Sequence, residues 1–96
     1  MTTQILIKQI IPILKSQEVL KASIFGSFAR GDNTENSDID ILVKLKKSKT
    51  LFDLIGLKIA LEEKLDKKVD VLTYESINPL LKKIILQEQK VIYEKR

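Results

Sequence analysis

The chain contains no cysteine and no histidine among its 96 residues. These absences exclude disulfides, zinc sites built from thiolates or imidazoles, and every mechanism that uses a histidine base or a cysteine nucleophile. Any catalysis must therefore use carboxylates, hydroxyls, amines and bound cations. Three glycines and two prolines leave no segment that reads as a flexible linker, and no repeat is present. We expect residues 1–96 to form one small domain around a single core.

Long apolar runs and a strong excess of charge are also missing. No apolar run is long enough to cross a bilayer, and the first residues lack the pattern of a signal peptide. The formal net charge is +4, which suits anionic ligands such as nucleotides but is low for a dedicated nucleic-acid binder. We therefore expect a cytoplasmic protein with no membrane partner and no direct nucleic-acid partner.

The apolar pattern predicts helices and strands that alternate along the chain. Helical spacing and capping signals predict three long helices, over residues 2–16, about 50–66, and from Asn78-Pro79 onward. Pro12 is expected either to kink the first helix or to mark where its regular part begins. Short apolar runs predict three strands, over residues 19–25, 38–45 and 68–74. Residues 90–95 read as an edge strand or a tail. The alternation predicts a small α/β (α+β) fold, with a mixed sheet flanked by helices.

The most informative stretch is "FGSFARGDNTENSDIDIL", residues 25–42. Gly26 and Ser27 stand where an apolar strand ends and a tight helical turn, closed by Gly31, begins. A glycine there lets the backbone approach a ligand closely, while a hydroxyl and free N–H groups at a helix start bind phosphate oxygens. The pattern predicts a phosphate cradle at Gly26 and Ser27.

Three aspartates are placed to share one face of the sheet. Asp38 and Asp40 alternate with apolar residues, and residues two apart on a strand project from the same face about 7 Å apart. Asp70 joins them if its strand pairs with theirs. Two carboxylates at this spacing can bind the same or neighbouring hard cations, and Mg²⁺ is the natural candidate because it takes its other ligands from water and substrate phosphates.

This arrangement resembles the nucleotidyltransferases of the DNA polymerase β type, in particular the minimal nucleotidyltransferase (MNT) branch whose members pair with HEPN-domain toxins. The motif of that superfamily is Gly-Ser, a spacer, then Asp-x-Asp on a strand. Here it stands as Gly26-Ser27, ten residues, and Asp38-Ile39-Asp40. The segments "GSFARG", "SDIDILV", "VDVLTY" and "INPLLKKIILQEQKVIYE" extend the resemblance over nearly the whole chain.

The resemblance implies a polymerase β-like fold and transfer of AMP from ATP to a hydroxyl, commonly a tyrosine of a HEPN ribonuclease, so that the protein acts as an antitoxin. Asp38 and Asp40 would hold two Mg²⁺ ions, and Asp70 would bind the metal on the nucleophile side. Gly26 and Ser27 would position the β- and γ-phosphates. Arg30 would contact phosphate or form a salt bridge with Asp32 or Asp38.

Several alternatives remain open at the level of sequence. The chain could be an antitoxin that occludes its partner without essential catalysis, or an adenylyltransferase of a small molecule. Asp70 could be an ordinary strand-edge acid, and Phe28 could stack on a base or belong to the core. The oligomeric state, whether a homo-oligomer or a hetero-oligomer, stays open.

Overall fold

A computed structural model describes residues 2–95, which form alternating helices and strands. The helices are α1 (Thr3–Ser16), α2 (Gly26–Arg30), α3 (Leu51–Leu65) and α4 (Pro79–Glu88). The strands are β1 (Lys21–Phe25), β2 (Ile39–Lys44), β3 (Val69–Thr73) and β4 (Lys90–Glu94), and a short 3₁₀ turn spans Tyr74–Ser76. Among these residues, none of the helices combines the length and apolar character that crossing a bilayer requires.

The four strands form one sheet in the order β3-β2-β1-β4. β1 is antiparallel to both β2 and β4, whereas β2 and β3 are parallel. The predicted mixed sheet with flanking helices is therefore confirmed, and the last segment is an edge strand rather than a tail. A parallel pair needs a crossover connection, which α3 supplies between β2 and β3.

The helix and strand bounds differ from the predicted ones at a few places. α1 begins at Thr3 and continues through Pro12, so the prediction that Pro12 could mark the start of its regular part is wrong. β1 begins at Lys21 rather than residue 19, because Glu18 adopts a left-handed conformation and the N–H of Val19 donates back to α1 at Leu14. Val19, which was predicted to lie in the strand, therefore belongs to the turn that ends α1.

The core lies on one face of the sheet, under α1 and α3. Leu6, Ile10 and Leu14 of α1 and Leu57 and Leu61 of α3 are at most 1% exposed. The strands contribute alternate side chains to this core, namely Ala22, Ile24, Ile39, Ile41, Val43 and Val69. The alternation of apolar residues in the sequence predicted this face of the strands correctly, although β2 also buries Leu42 on the opposite face.

The opposite face of the sheet carries the buried Ser23 and the polar residues of interest. The Ser23 hydroxyl lies 2.5 Å from the Tyr74 hydroxyl, which in turn donates to Gln89 Oε1 at 3.1 Å. This chain of hydrogen bonds satisfies a fully buried polar side chain, and it connects the centre of the sheet to the residue that follows α4. α4 itself begins at a cap in which Asn78 Oδ1 accepts from the N–H of Leu80, as predicted.

The two sides of α3 provide a test of where the stability resides. Leu61 is 0% exposed and Ile59, two residues earlier, is 49% exposed. Leu61→Ala should lower the free energy of unfolding by about 2–5 kcal/mol because it leaves a cavity, and Ile59→Ala should lower it by clearly less. Urea unfolding followed by circular dichroism measures both. Equal losses would contradict the assignment of the core to this face.

Candidate active site

The structure brings Asp40 and Asp70 side by side. They are direct partners in the parallel pair β2/β3, and Phe25 is the antiparallel partner of Asp40 on β1. Directly paired residues project from the same face of a sheet. Both carboxylates therefore lie on the face away from the core of α1 and α3, with Asp70 on the edge strand.

Asp38 lies at the mouth of this pair rather than within it. β2 begins one residue later, at Ile39, so the strand predicted over residues 38–45 is shorter at its start. The Asp38 side chain is 46% exposed, and its Oδ2 lies 4.0 Å from Lys68 Nζ. Within residues 2–95, no three acidic side chains converge closely enough to hold a metal ion by themselves. The site is thus a close pair of carboxylates with a third carboxylate nearby.

The pair carries an electrostatic cost that is visible in the pKa of Asp40. This pKa is raised from 3.8 to about 6, first by burial and then by the nearby charges of Asp70 and Asp38, while Arg30 opposes the shift. A carboxylate that is desolvated beside like charges is destabilised in its ionised form. The Asp40 carboxylate is therefore stabilised either by taking up a proton or by a cation bound beside it.

A glycine is needed at position 26 for two reasons, the conformation of the backbone and the space that the Asp40 carboxylate occupies. Its φ is +69°, a conformation that glycine adopts without penalty. A Cβ built there would collide with Asp40 Oδ2 and lie 3.3 Å from Asp40 Cγ. The Gly of the Gly-Ser motif thus makes room for the second Asp of the Asp-x-Asp motif, which the fold brings into contact with it. From the sequence alone, Gly26 is explained only by the close approach of a phosphate.

The turn that follows Gly26 forms as predicted. α2 spans Gly26–Arg30 and ends at Gly31, whose φ is +83° and whose N–H donates to Ser27 O. Ser27 is partly exposed in the first turn of α2, where it can meet a ligand. Phe28 is 2% exposed and belongs to the core, which removes the hypothesis that its ring stacks on a base.

Arg30 is engaged in salt bridges. Its Nε lies 3.2 Å from Asp32 Oδ2, and its Nη1 lies 3.2 Å from Glu88 Oε2 on α4. These partners, Asp32 first, raise the pKa of Arg30. The predicted ion pair with Asp32 is confirmed, and the alternative pairing with Asp38 is wrong because the side chain extends toward α4 instead.

Lys58 is a residue of the site that the sequence did not indicate. Its Nζ donates to the backbone O of Val69, the residue before Asp70, at 2.9 Å, and lies 3.5 Å from Glu62 Oε2. Lys58 borders the same surface groove as Asp40 and Asp70. A lysine in the middle of an apolar helix carries no local signal of this role, because its position depends on how α3 packs beside the edge strand.

Comparison with known sequences identifies the family to which the chain is similar. The chain matches the family model of polymerase beta nucleotidyltransferases over residues 8–96. A predicted protein adenylyltransferase of Methanocaldococcus jannaschii is 59% identical over 81 residues, which cover 84% of this chain and 87% of the relative. The protein adenylyltransferase MntA of Thermococcus cleftensis is 36% identical over 75 residues, which cover 78% of this chain and 74% of the relative.

Comparison with solved structures gives the same fold. A crystal structure of a toxin-antitoxin with AMP-PNP is similar with a TM-score of 0.80 at 25% identity, over 94% of this chain and 74% of that chain. A structure of a predicted minimal nucleotidyltransferase has a TM-score of 0.81 at 31% identity, over 94% of this chain and 95% of that chain.

The raised pKa of Asp40 predicts a pH dependence of stability in the metal-free protein. Its pKa is about 6 in the folded state, against an ordinary value of 3.8, so between these values the folded state binds more protons and stability falls as the pH rises. Asp40→Asn should remove this dependence. It should be more stable than the parent at about pH 8 and similar to it at about pH 4. Thermal unfolding in the presence of EDTA measures this, and parallel profiles for the two proteins would contradict it.

The two left-handed glycines around α2 form a matched pair. Gly31→Ala should cost about 1–2 kcal/mol of stability through backbone strain alone, since a Cβ there meets nothing within 4 Å. Gly26→Ala should cost more, because its Cβ also meets the Asp40 carboxylate. Chemical denaturation of Gly26→Ala in the parent and in an Asp40→Ala background separates the two effects. If the extra cost persists when the carboxylate is removed, the collision does not explain the glycine.

Proposed function

The chain belongs to the polymerase β nucleotidyltransferase family, and we propose that it transfers AMP from ATP to a tyrosine hydroxyl of a HEPN-domain toxin, which it thereby neutralises. The observation that carries this proposal is the pair Asp40 and Asp70 beside the backbone at Gly26. That the chain is a nucleotidyltransferase follows from the family. The donor, the acceptor and the site residues are the proposal, as are its action as one domain over residues 1–96 and its place in the cytoplasm.

Similarity supports the choice of AMP and of a protein acceptor. Two relatives that share 59% and 36% of their aligned residues with this chain are named protein adenylyltransferases. A structure at 25% identity is a toxin-antitoxin with the ATP analogue AMP-PNP. The HEPN partner follows from the resemblance of the motif segments to the minimal branch, in which such toxins are the usual partners.

The carboxylates fit Mg²⁺, which we propose as the metal. Asp40 and Asp70 supply hard oxygen ligands at adjacent positions, and Asp38 lies nearby at the mouth. The raised pKa of Asp40 means that a cation beside these like charges would be stabilising. Mg²⁺ needs few protein ligands and completes its shell with water and phosphate oxygens. When bound, a pair of Mg²⁺ ions would stabilise the entering and leaving oxygens of an in-line displacement.

The residues of the chain itself would position the substrates. Gly26 leaves room for the Asp40 carboxylate beside the start of α2, and Ser27 offers a hydroxyl to a phosphate in the first turn of that helix. We propose that Asp70, on the edge strand beside Asp40, takes the proton of the acceptor hydroxyl. Arg30 forms an ion pair with Glu88 of α4, and we propose that it contributes to phosphate binding through its positive charge rather than by direct contact.

Asp70→Asn distinguishes transfer from occlusion, because it keeps the shape of the side chain and removes its charge. An amide is a poor Mg²⁺ ligand and cannot take a proton, so this variant should lose transfer while keeping its affinity for the partner. Co-expression with a HEPN-domain protein of the same genome, followed by intact mass, should show adducts of about 329 Da per added AMP with the parent and none with the variant.

Asp66→Asn is the control for this experiment. It makes the same chemical change at the left-handed residue that ends α3, where asparagine is well tolerated, and it should modify the partner as the parent does. A partner that is silenced equally by the parent and by Asp70→Asn without any change in mass would contradict the proposal. That result would favour the alternative of an antitoxin that occludes its partner without essential catalysis.

A further inference from the structure

The helix α3 carries apolar side chains on both of its sides. Leu57, Leu61 and Leu65 are buried in the core, whereas a second apolar set faces solvent. A surface helix normally presents polar residues on the side opposite to the core. We call the exposed set the outer face of α3. It consists of Leu51 (68% exposed), Phe52 (85%), Ile55 (45%), Ile59 (49%) and the exposed Gly56.

The outer face lies on a different side of the molecule from the candidate active site. The buried leucines of α3 pack on one face of the sheet, so the outer face is directed away from the sheet. Asp40 and Asp70 lie on the other face of the sheet, beyond the core. A partner on the outer face would therefore leave both carboxylates open to a nucleotide and an acceptor.

The outer face is complementary to itself when two copies of α3 run antiparallel. An isologous interface joins the same patch of two copies across a two-fold axis. With that axis between positions 55 and 56, Ile55 meets Ile55 of the second copy. Phe52 meets Ile59 of the second copy, because the two residues lie at equal distances from the axis, about 5 Å along the helix. Apolar side chains thus cover each other along the whole stripe.

Gly56 opens the centre of this face to a second backbone. A Cβ built at Gly56 meets nothing within 4 Å, and its φ is not positive. Neither the packing of one chain nor its backbone conformation therefore requires glycine there, although glycine inside a helix is destabilising relative to alanine. Small residues let two helices approach closely where they cross, and a second α3 supplies that reason for the glycine.

The charges at the two ends of the outer face favour the antiparallel arrangement. Glu63, one turn beyond Ile59, is exposed at one end, and Lys47 is exposed in the turn before α3. None of the ion pairs of residues 2–95 includes Glu63 or Lys47. Antiparallel packing brings Glu63 toward the turn that carries Lys47 of the second copy, whereas parallel packing would bring like charges together. A face with an acid at one end and a base at the other is thus matched by its own reversed copy.

We propose that the outer face of α3 joins two copies of this chain in an antiparallel dimer with two-fold symmetry. The proposal does not depend on the proposed transferase function, because the interface and the carboxylates lie on opposite sides of the core. The outer face has far fewer residues than the 20–30 a side that are typical of a standard interface. We therefore expect a reversible dimer with a Kd on the order of 100 μM.

Two matched variants test whether this face makes the dimer. Phe52 and Leu80 are 85% and 87% exposed, and each is the second residue of its helix, α3 or α4. A glutamate at either position therefore meets the same helix dipole. In sedimentation equilibrium of the full chain, Phe52→Glu should raise the dimer Kd at least about 10-fold, and Leu80→Glu should leave it unchanged. A parent that is monomeric up to about 1 mM, or equal effects of the two variants, would overturn the proposal.

A charge exchange tests the antiparallel orientation. Glu63→Lys and Lys47→Glu should each raise the dimer Kd by about 5-fold, because each places like charges together at both ends of the interface. The double variant Lys47→Glu/Glu63→Lys should restore the Kd of the parent. A double variant that dimerises no better than the single variants would rule out the antiparallel arrangement.

Cross-linking tests the position of the two-fold axis. The chain contains no cysteine, so Ile55→Cys introduces one thiol per copy. Because position 55 lies beside the axis, its two copies should come within reach of a disulfide, and oxidised glutathione should yield a covalent dimer. Leu80→Cys, on α4, should yield much less. Equal yields from the two variants would contradict the placement of the axis.

A different occupant of the outer face would show itself in the same variants. If the parent alone stays monomeric and Phe52→Glu weakens binding of a HEPN-domain protein of the same genome, while Leu80→Glu does not, the outer face belongs to that partner. That result would overturn the proposed dimer.

Discussion

The parallel pairing of β2 with β3 places two like charges next to each other, and the site is organised around that constraint. Asp40 and Asp70 are direct partners, and like charges at such positions weaken a sheet. The fold tolerates them because they lie on the face away from the main core and because Asp70 is on an edge strand, where water reaches it. Gly26 accommodates the first carboxylate by having no side chain. The pairing of the two carboxylates is thus a local loss of stability, and the proposed cation would offset it.

The helix that makes this pairing possible also contributes to the site. Parallel neighbours need a crossover, and α3 provides it while burying Leu57, Leu61 and Leu65 against the core. The same helix places Lys58 at the open edge of β3, where its ammonium group caps the carbonyl of Val69. Stability and site geometry therefore depend on one packing arrangement, since a shift of α3 would move the core leucines and Lys58 together.

The sequence predicted the parts of this structure that depend on near neighbours. Gly31 ends α2 in a left-handed conformation, and Asn78 caps α4, because turn and cap chemistry acts over a few residues. The alternation around Asp40 predicted its face correctly. The sequence did not predict the pairing of Arg30 with Glu88 or the contact between Gly26 and the Asp40 carboxylate. Both join segments that are distant in the chain, so no local pattern records them.

Leu72 and Leu81, which border the surface groove at Asp40 and Asp70, differ in how firmly they are held. Leu72 belongs to the sheet, whose hydrogen bonds also fix the carboxylates. Leu81 lies on α4, which has no buried side chain among the described residues and which is joined to the rest of the site by the Arg30 to Glu88 ion pair and by the contact of Gln89 with Tyr74. Exposed ion pairs contribute little to stability, so α4 is held less firmly than the sheet. Asp40 and Asp70 lie on paired strands, so their geometry depends on the strand pairing rather than on α4.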